Sequence, residues 1–491
     1  MKKMLKKSWF PYFLLLLIIV LALVLRLYKI NLPLADHHSW RQADTAAVAR
    51  NFIKEGFDFF HPKIDNMTAL AKPDLPNNQR LFMVEPPIYQ TIVSIFYRLL
   101  GVQERWARLV SIFFYLGGMI FLYFLVEKLI NKWVGLLTAF FMAVLPFGIF
   151  YGRVVMPEPE MIFASLGMLW FFWLWLEKQK NGLFVWAVIF TAWALLMKTF
   201  PFFLVLPLFY LVWQKYHWSF FKQYKLWLLV FLAVLPLILW RFWISRFPAG
   251  IPPYDWLFNQ GGIRFRPAFF RWIFAERIGK LILGYWGLPL LVLGLILRSG
   301  KKEGWFFHLW MISFLAYVMT FAAGNITHDY YQIPFIPIAS VFLAKGSYWL
   351  IAGDRQAFNK LLCTMLVVLC TAFMIGFSWF EVRGFYLIQG GVDLAGRAVD
   401  EMTPKKALVL TGDSNDATLL YNTNRYGWTG GYASYFPNDQ ASIEKVMKMG
   451  GTVYVTTKFE EKSEFGQYML KNYPVIKKTD QYIIFSLINN H

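Results

Sequence analysis

At 491 residues, of which 58% are hydrophobic, 20% aromatic and only 16% charged, the chain is too apolar for a soluble protein. Its formal net charge of +20 is carried upstream of residue 385, because acidic and basic residues balance beyond it. That placement argues against nucleic acid as a partner and for anionic lipid or a lipid-linked phosphate.

The chain opens with a basic segment, residues 2–7, followed by an apolar run over residues 9–25 with no small-residue cleavage site after it. This pattern predicts a retained signal-anchor helix with its basic end in the cytoplasm. A long polar segment, residues 29–105, follows and is expected on the outer face. It begins with Asp36-His37-His38-Ser39-Trp40-Arg41-Gln42-Ala43-Asp44-Thr45, an ionisable cluster where the first span leaves the membrane. Charged groups beside hydrocarbon are costly unless solvated or paired, so the cluster is either a solvated loop start or a site. Ser39 and Gln42 have the spacing of a capping box, which predicts a helix opening at Ser39. A Pro- and Asn-rich connection over residues 72–78 leads to Glu85-Pro86-Pro87 and an amphipathic run over residues 88–100. Both helices are expected to lie along the membrane surface.

Further apolar stretches cover residues 108–126, 133–150, 161–176, 183–197, 200–213, 226–243, 281–297, 305–323, 333–351 and 361–380. With the first they make about eleven spans, Lys198 to Pro201 either dividing two helices or kinking one. Lysines and arginines at residues 128–132, 178–180, 215–225, 298–302 and 355–360 fall on the same side as residues 2–7, as the positive-inside rule requires. One outer loop breaks that rule with Arg246, Arg264, Arg266, Arg271, Arg277 and Lys280, which suit either lipid head groups or a phosphate cradle. Cys363 and Cys370, seven apart within the last span, read as packing residues. Beyond residue 380 the hydropathy collapses. Strands at residues 408–410, 453–455 and 482–485 alternate with helices at 416–421, 440–449 and 462–472, predicting a small α/β domain on the outer side.

The unusual polar residues thus converge on the outer ends of the spans: Asp36, His37, His38 and Asp44; Glu85; Arg153, Glu158 and Glu160; Lys198; and His328-Asp329-Tyr330-Tyr331. Asp36 and Glu158 suit general-base work or shared ligation of a divalent cation, with the histidines as further metal-ligand candidates. Lys198 and the outer arginines suit a departing phosphate. No P-loop or dinucleotide fingerprint is present, so a membrane-borne phosphate donor fits better than a soluble nucleotide.

These features resemble the GT-C superfamily of integral-membrane glycosyltransferases, in the branch of protein O-mannosyltransferases and lipid A aminoarabinose transferases. Asp36 matches the family's essential acid after the first span, although His37 replaces the second acid often found beside it. Glu85-Pro86-Pro87 corresponds to a Lys-Pro-Pro motif with the charge reversed. Glu158 matches the second acidic position and Lys198 a lysine at the outer end of a later helix. His328-Asp329-Tyr330-Tyr331-Gln332-Ile333-Pro334 resembles the polar-aromatic start of a late Pro-containing helix. The likeness covers about the first 380 residues, and the tail resembles the extracytoplasmic domain of many bacterial members.

The resemblance implies a membrane all-α protein: a GT-C-like polytopic bundle, surface-lying helices in the first outer loop, and a small C-terminal extracytoplasmic α/β domain. The expected domains are residues 1–383, with the first outer loop at 29–105, and 384–491. It further implies transfer of a sugar, with inversion, from a polyprenyl-phosphate donor to a lipid, protein or envelope-polymer acceptor outside the cytoplasmic membrane. Asp36 and Glu158 would be catalytic, with a divalent cation as a further expectation at that pair. Lys198, Arg153, Arg264, Arg266, Glu85, His328 and Tyr331 would bind the donor and its phosphate. The rival class is a polytopic transporter, which places ionisable groups near the bilayer midplane and commonly shows related halves. Here those groups sit at helix ends, and no internal repeat is visible.

Overall fold

The structure is a computed structural model that describes residues 9–70, 75–353, 359–414, 416–431 and 435–488. The basic residues 2–7, residues 72–74 of the Pro-rich connection and residues 355–358 lie outside the described residues. The chain divides into two compact units: residues 1–30, 111–241 and 254–384, and residues 31–110, 242–253 and 385–491.

The predicted apolar stretches are mostly helical, and among the described residues five helices are long and apolar enough to cross a membrane: Glu104–Leu129, Glu158–Lys178, Tyr224–Ile244, Phe335–Ala352 and Lys360–Tyr386. Shorter apolar helices include Phe10–Arg26, Lys132–Val144, Asn181–Met197 and Phe306–Thr320. The protein is a multi-pass membrane protein. Lys198 is extended between the helices Asn181–Met197 and Phe200–Phe203, so this region separates two helices instead of kinking one.

A second break is repaired by a buried cation. Pro146 has no N–H to offer Met142, and the helix Lys132–Val144 stops before a new one, Pro146–Tyr151, begins. Backbone carbonyls cannot be left bare in an apolar medium. Arg26, fully buried at the end of the first helix, donates to the carbonyls of Met142 at 3.3 Å, Ala143 at 3.2 Å and Gly148 at 3.0 Å. Tyr115 donates to Met142 O at 3.0 Å, with its ring 4.0 Å from the Arg26 guanidinium. Glycines bring two other helices into backbone contact. A Cβ on Gly294 would lie 1.9 Å from Phe342 O, and one on Gly346 would lie 2.2 Å from Leu290 O.

The second unit is built on a five-stranded sheet in the order β2-β1-β3-β5-β4. The strands are β1 (Leu408–Thr411), β2 (Tyr426–Thr429), β3 (Gly451–Thr456), β4 (Val475–Lys478) and β5 (Ile483–Ser486). β1 runs parallel to β2 and β3, while β5 runs antiparallel to β3 and β4. Three predicted strands and three predicted helices are present; the four-residue strands β2 and β4 and the helix Val392–Met402 go beyond the sequence reading.

The domain expectation differs in one respect. Residues 31–110, read as a loop of the membrane part, share a core with the C-terminal domain: Ala35 packs among Val392, Leu419 and Ile484. Asn66 bridges to Gly427, and Arg50 donates to Tyr421 O at 3.0 Å. The helix Ile88–Leu100 keeps an exposed apolar edge, as expected, at Ile95, Phe96 and Leu99. The helix Ser39–Lys54 does not lie open on a surface; it is buried on nearly every side.

Candidate functional site

In the second unit Asp36 is buried at 3% exposure, immediately before the helix Ser39–Lys54. The helix opens at Ser39 as predicted, but without the capping box: His38 is the cap residue, in a left-handed conformation (φ 53°). Gln42 turns its amide to Asp36 instead, donating to Oδ1 at 2.7 Å and to His37 O at 3.0 Å. Ser39 Oγ pairs with Thr418 Oγ1 at 2.8 Å. The other carboxylate oxygen of Asp36 lies 3.7 Å from Nη2 of Arg108, which is fully buried and also donates to the carbonyls of Leu32 and Pro33. A neutral donor and a cation therefore fix the carboxylate. His37 stacks on Phe385 with ring centroids 3.9 Å apart.

Glu85 forms a buried ion pair with Arg41, whose guanidinium lies 5.0 Å from the Phe82 ring centroid. The reversed charge in the Pro-Pro motif thus has a partner within the same unit. Asp44 is buried on the same helix as Arg41. Burial pushes its carboxyl up to about 7; Arg41 opposes the rise, and Asp65 and Asp416 add to it.

In the first unit Glu158 and Glu160 occupy the first turn of the helix Glu158–Lys178, where the helix dipole favours carboxylates. Glu158 is 3% exposed and lies 3.4 Å from Lys198 Nζ. Its Oε2 is buried and accepts no hydrogen bond among the described residues. Glu160 accepts the Trp193 indole N–H at 2.7 Å.

Arg153 is fully buried and donates to Lys29 O at 3.1 Å. Arg264 donates to the carbonyls of Phe258 at 3.2 Å and Thr320 at 2.8 Å. Arg266 is exposed, with no side-chain hydrogen bond among the described residues. His328 stacks with Tyr330 and Tyr331 at 5.2 and 6.1 Å and meets the Trp256 edge at 5.6 Å. Between them Asp329 accepts the Tyr151 hydroxyl and lies 3.5 Å from Arg277.

The structure therefore brings together Glu158 with Lys198, and His328 with Tyr331. Asp36 and Glu158 belong to different units, each described by itself. Arg108 and Gln42, the partners of Asp36, were missed as site residues. Arg108 reads as the first residue of a span, and Gln42 reads as half of a capping box.

Residues 84–243 match the family described as dolichyl-phosphate-mannose-protein mannosyltransferase. No curated protein sequence matches the chain. Among solved structures, ArnT from Cupriavidus metallidurans bound to undecaprenyl phosphate superposes with a TM-score of 0.66 at 13% identity, over 97% of this chain and 98% of that one. The Archaeoglobus fulgidus oligosaccharyltransferase in the apo form superposes with a TM-score of 0.57 at 11% identity, over 91% and 70%. AglB from Archaeoglobus fulgidus, in complex with an inhibitory peptide and a dolichol-phosphate, gives 0.54 at 13%, over 95% and 73%. The fold is that of the GT-C superfamily of membrane glycosyltransferases, as the resemblance implied.

Proposed function

We propose that the protein transfers a sugar from a polyprenyl-phosphate donor to an acceptor hydroxyl on the outer face of the cytoplasmic membrane. Its N-terminus would be cytoplasmic and its α/β domain outside. The observation that carries this reading is the buried Asp36 carboxylate, fixed by Gln42 and Arg108 in a chain with the GT-C fold. Similar folds hold lipid phosphates: ArnT is bound to undecaprenyl phosphate and AglB to a dolichol-phosphate.

In the proposed reaction the acceptor oxygen attacks the anomeric carbon from the face opposite the phosphate. The new C–O bond forms as the bond to the phosphate oxygen breaks, inverting the centre. The hydroxyl proton passes to Asp36, and the bond electrons leave with the polyprenyl phosphate. Lys198 is the proposed partner of that phosphate, held ready by Glu158. Polyprenyl phosphate is a competent leaving group, so orientation and charge stabilisation supply most of the acceleration.

A divalent cation shared by Asp36 and Glu158 fits these residues poorly. Each carboxylate already has a cation beside it, Arg108 at 3.7 Å and Lys198 at 3.4 Å. Those side chains supply the counter-charge.

The test is release of polyprenyl phosphate from a panel of labelled polyprenyl-phosphate sugars by the reconstituted protein. Asp36→Asn is expected to lower release by about 10²- to 10⁴-fold, the usual worth of a general base, with membrane insertion unchanged. Wild-type turnover by Asp36→Asn would refute the assignment; solute uptake without release would place the protein among transporters.

A further inference from the structure

The helix Glu158–Lys178 has a second polar end. About 25 Å from Glu158, at 1.5 Å per residue, Trp175 lines a cavity of about 250 Å³ together with Gln179, Tyr216, Gln223, Tyr224 and Lys225. Trp175 is 1% exposed, and its indole Nε1 has no hydrogen-bond partner among the described residues. A buried donor without an acceptor costs free energy, so such groups are normally satisfied by something.

The surroundings say what kind of acceptor fits. The helix-end carbonyls are already taken: Gln179 donates to Trp175 O at 3.2 Å and to Leu176 O at 3.0 Å, and Lys215 also donates to Leu176 O. What remains is positive. The segments that meet there carry Lys178, Lys180, Lys215, Lys222 and Lys225 against the single acid Glu177. Lys225 lines the cavity, and its Nζ donates to a neutral partner, Asn181 Oδ1, at 3.1 Å. Beside the cavity the short helix His217–Lys222 and the start of the next expose aromatic rings: Trp218 at 72%, Tyr224 at 71% and Phe221 at 57%. Exposed aromatic rings among lysines at the end of apolar helices are the composition of a membrane interface.

We propose that this cavity binds the phosphate head group of an anionic phospholipid, at the membrane face opposite the Glu158 end. Lys225 pairs with the phosphate, the Trp175 N–H reaches one of its oxygens, and Trp218 and Phe221 lie against the acyl chains. The site does not depend on the sugar-transfer reading.

The test uses the full-length protein in detergent, titrated with phosphatidylglycerol, phosphatidylcholine or inorganic phosphate, with retained ligand counted by native mass spectrometry. Phosphatidylglycerol is expected to bind about tenfold more tightly than phosphatidylcholine, because both carry the phosphate but the choline ammonium meets Lys178, Lys180, Lys215, Lys222 and Lys225 as a like charge. Lys225→Gln should erase that preference and Lys225→Arg should restore it, while Trp175→Phe, which loses a donor to the shared phosphate, should weaken both lipids together. Trp175→Phe keeps an aromatic ring against Phe172 and Phe184; should it still misfold, Lys225→Gln decides alone. Equal retention of the two lipids overturns the proposal, as does a preference unchanged in Lys225→Gln. Variant-sensitive binding of inorganic phosphate without lipid preference would assign the cavity to a free phosphate and overturn the lipid reading.

Discussion

At Asp44 the chain keeps a carboxyl group where water scarcely reaches it, and burial raises its pKa to about 7. The unfolded chain would release that proton near pH 4. Between those values the folded state binds more protons than the unfolded one, so stability falls as pH rises and levels off above about 7. Asp44→Asn should flatten thermal unfolding midpoints across pH 5 to 8 and stabilise the protein at pH 8, by on the order of 4 kcal/mol at most. A wild-type midpoint independent of pH in that window would contradict the burial argument. The Arg41–Glu85 pair behaves differently. Glu85→Gln strands the buried Arg41 charge and should cost about 3–5 kcal/mol. Gln42 donates to the proposed base and to the neighbouring His37 carbonyl, so Gln42→Ala should lower kcat about tenfold with KM little changed, as expected for a positioning residue. Asp36, Glu158 and Lys198 are legible in sequence because ionisable residues at the ends of apolar runs stand out. Their partners are not. Arg108 lies 72 residues from Asp36 at the edge of an apolar run, where nothing distinguishes an ion-pair partner from a flanking cation.

Among the elements, the apolar helices are readable because composition alone defines them. Breaks within them are only half readable: Pro146 announces one, but the burial of Arg26 against the freed carbonyls does not show in the sequence. Strands β2 (Tyr-Gly-Trp-Thr) and β4 (Val-Ile-Lys-Lys) lack the apolar run that marks the equally short β1 and β5. The helix Ser39–Lys54 is buried instead of lying open on a surface because its polar residues find partners across the second unit, so polarity there does not mean water. Helix contact makes a sharper prediction. Gly346→Leu should abolish the folded, detergent-stable protein, because its Cβ would lie 2.2 Å from the Leu290 carbonyl. Gly376→Leu, in another apolar helix with nothing within 4 Å, should be tolerated. Size-exclusion profiles in detergent read the difference directly.

For the whole molecule, the GT-C fold was legible from topology and loop residues, while the assembly of the second unit was not. Sequence order suggests a membrane domain with a soluble tail; the structure places residues 31–110, 242–253 and 385–491 in one unit. Deleting residues 385–491 therefore removes every other buried residue of the core around Ala35, along with the Tyr421 carbonyl that accepts from Arg50 and the Thr418 hydroxyl paired with Ser39. Such a truncation should abolish sugar transfer without removing Asp36, Glu158 or Lys198. It should also make residues 31–110 protease-sensitive while the apolar helices stay inserted. A truncated protein retaining turnover would mean that the Asp36 region folds without the tail.

That interleaving has a consequence in time. A ribosome making 5–20 residues per second needs roughly 20–80 s to pass from residue 110 to the last strand, β5. Throughout that interval the helix Ser39–Lys54, with Asp44 and Arg50 on it, has been made but lacks the surfaces that later bury it. The segment destined to carry the proposed base must wait, paired only locally through Arg41–Glu85 and Arg50–Asp65, beside a half-built membrane protein. Nascent-chain crosslinking to periplasmic or luminal chaperones should peak within residues 31–110 and vanish once β5 has emerged.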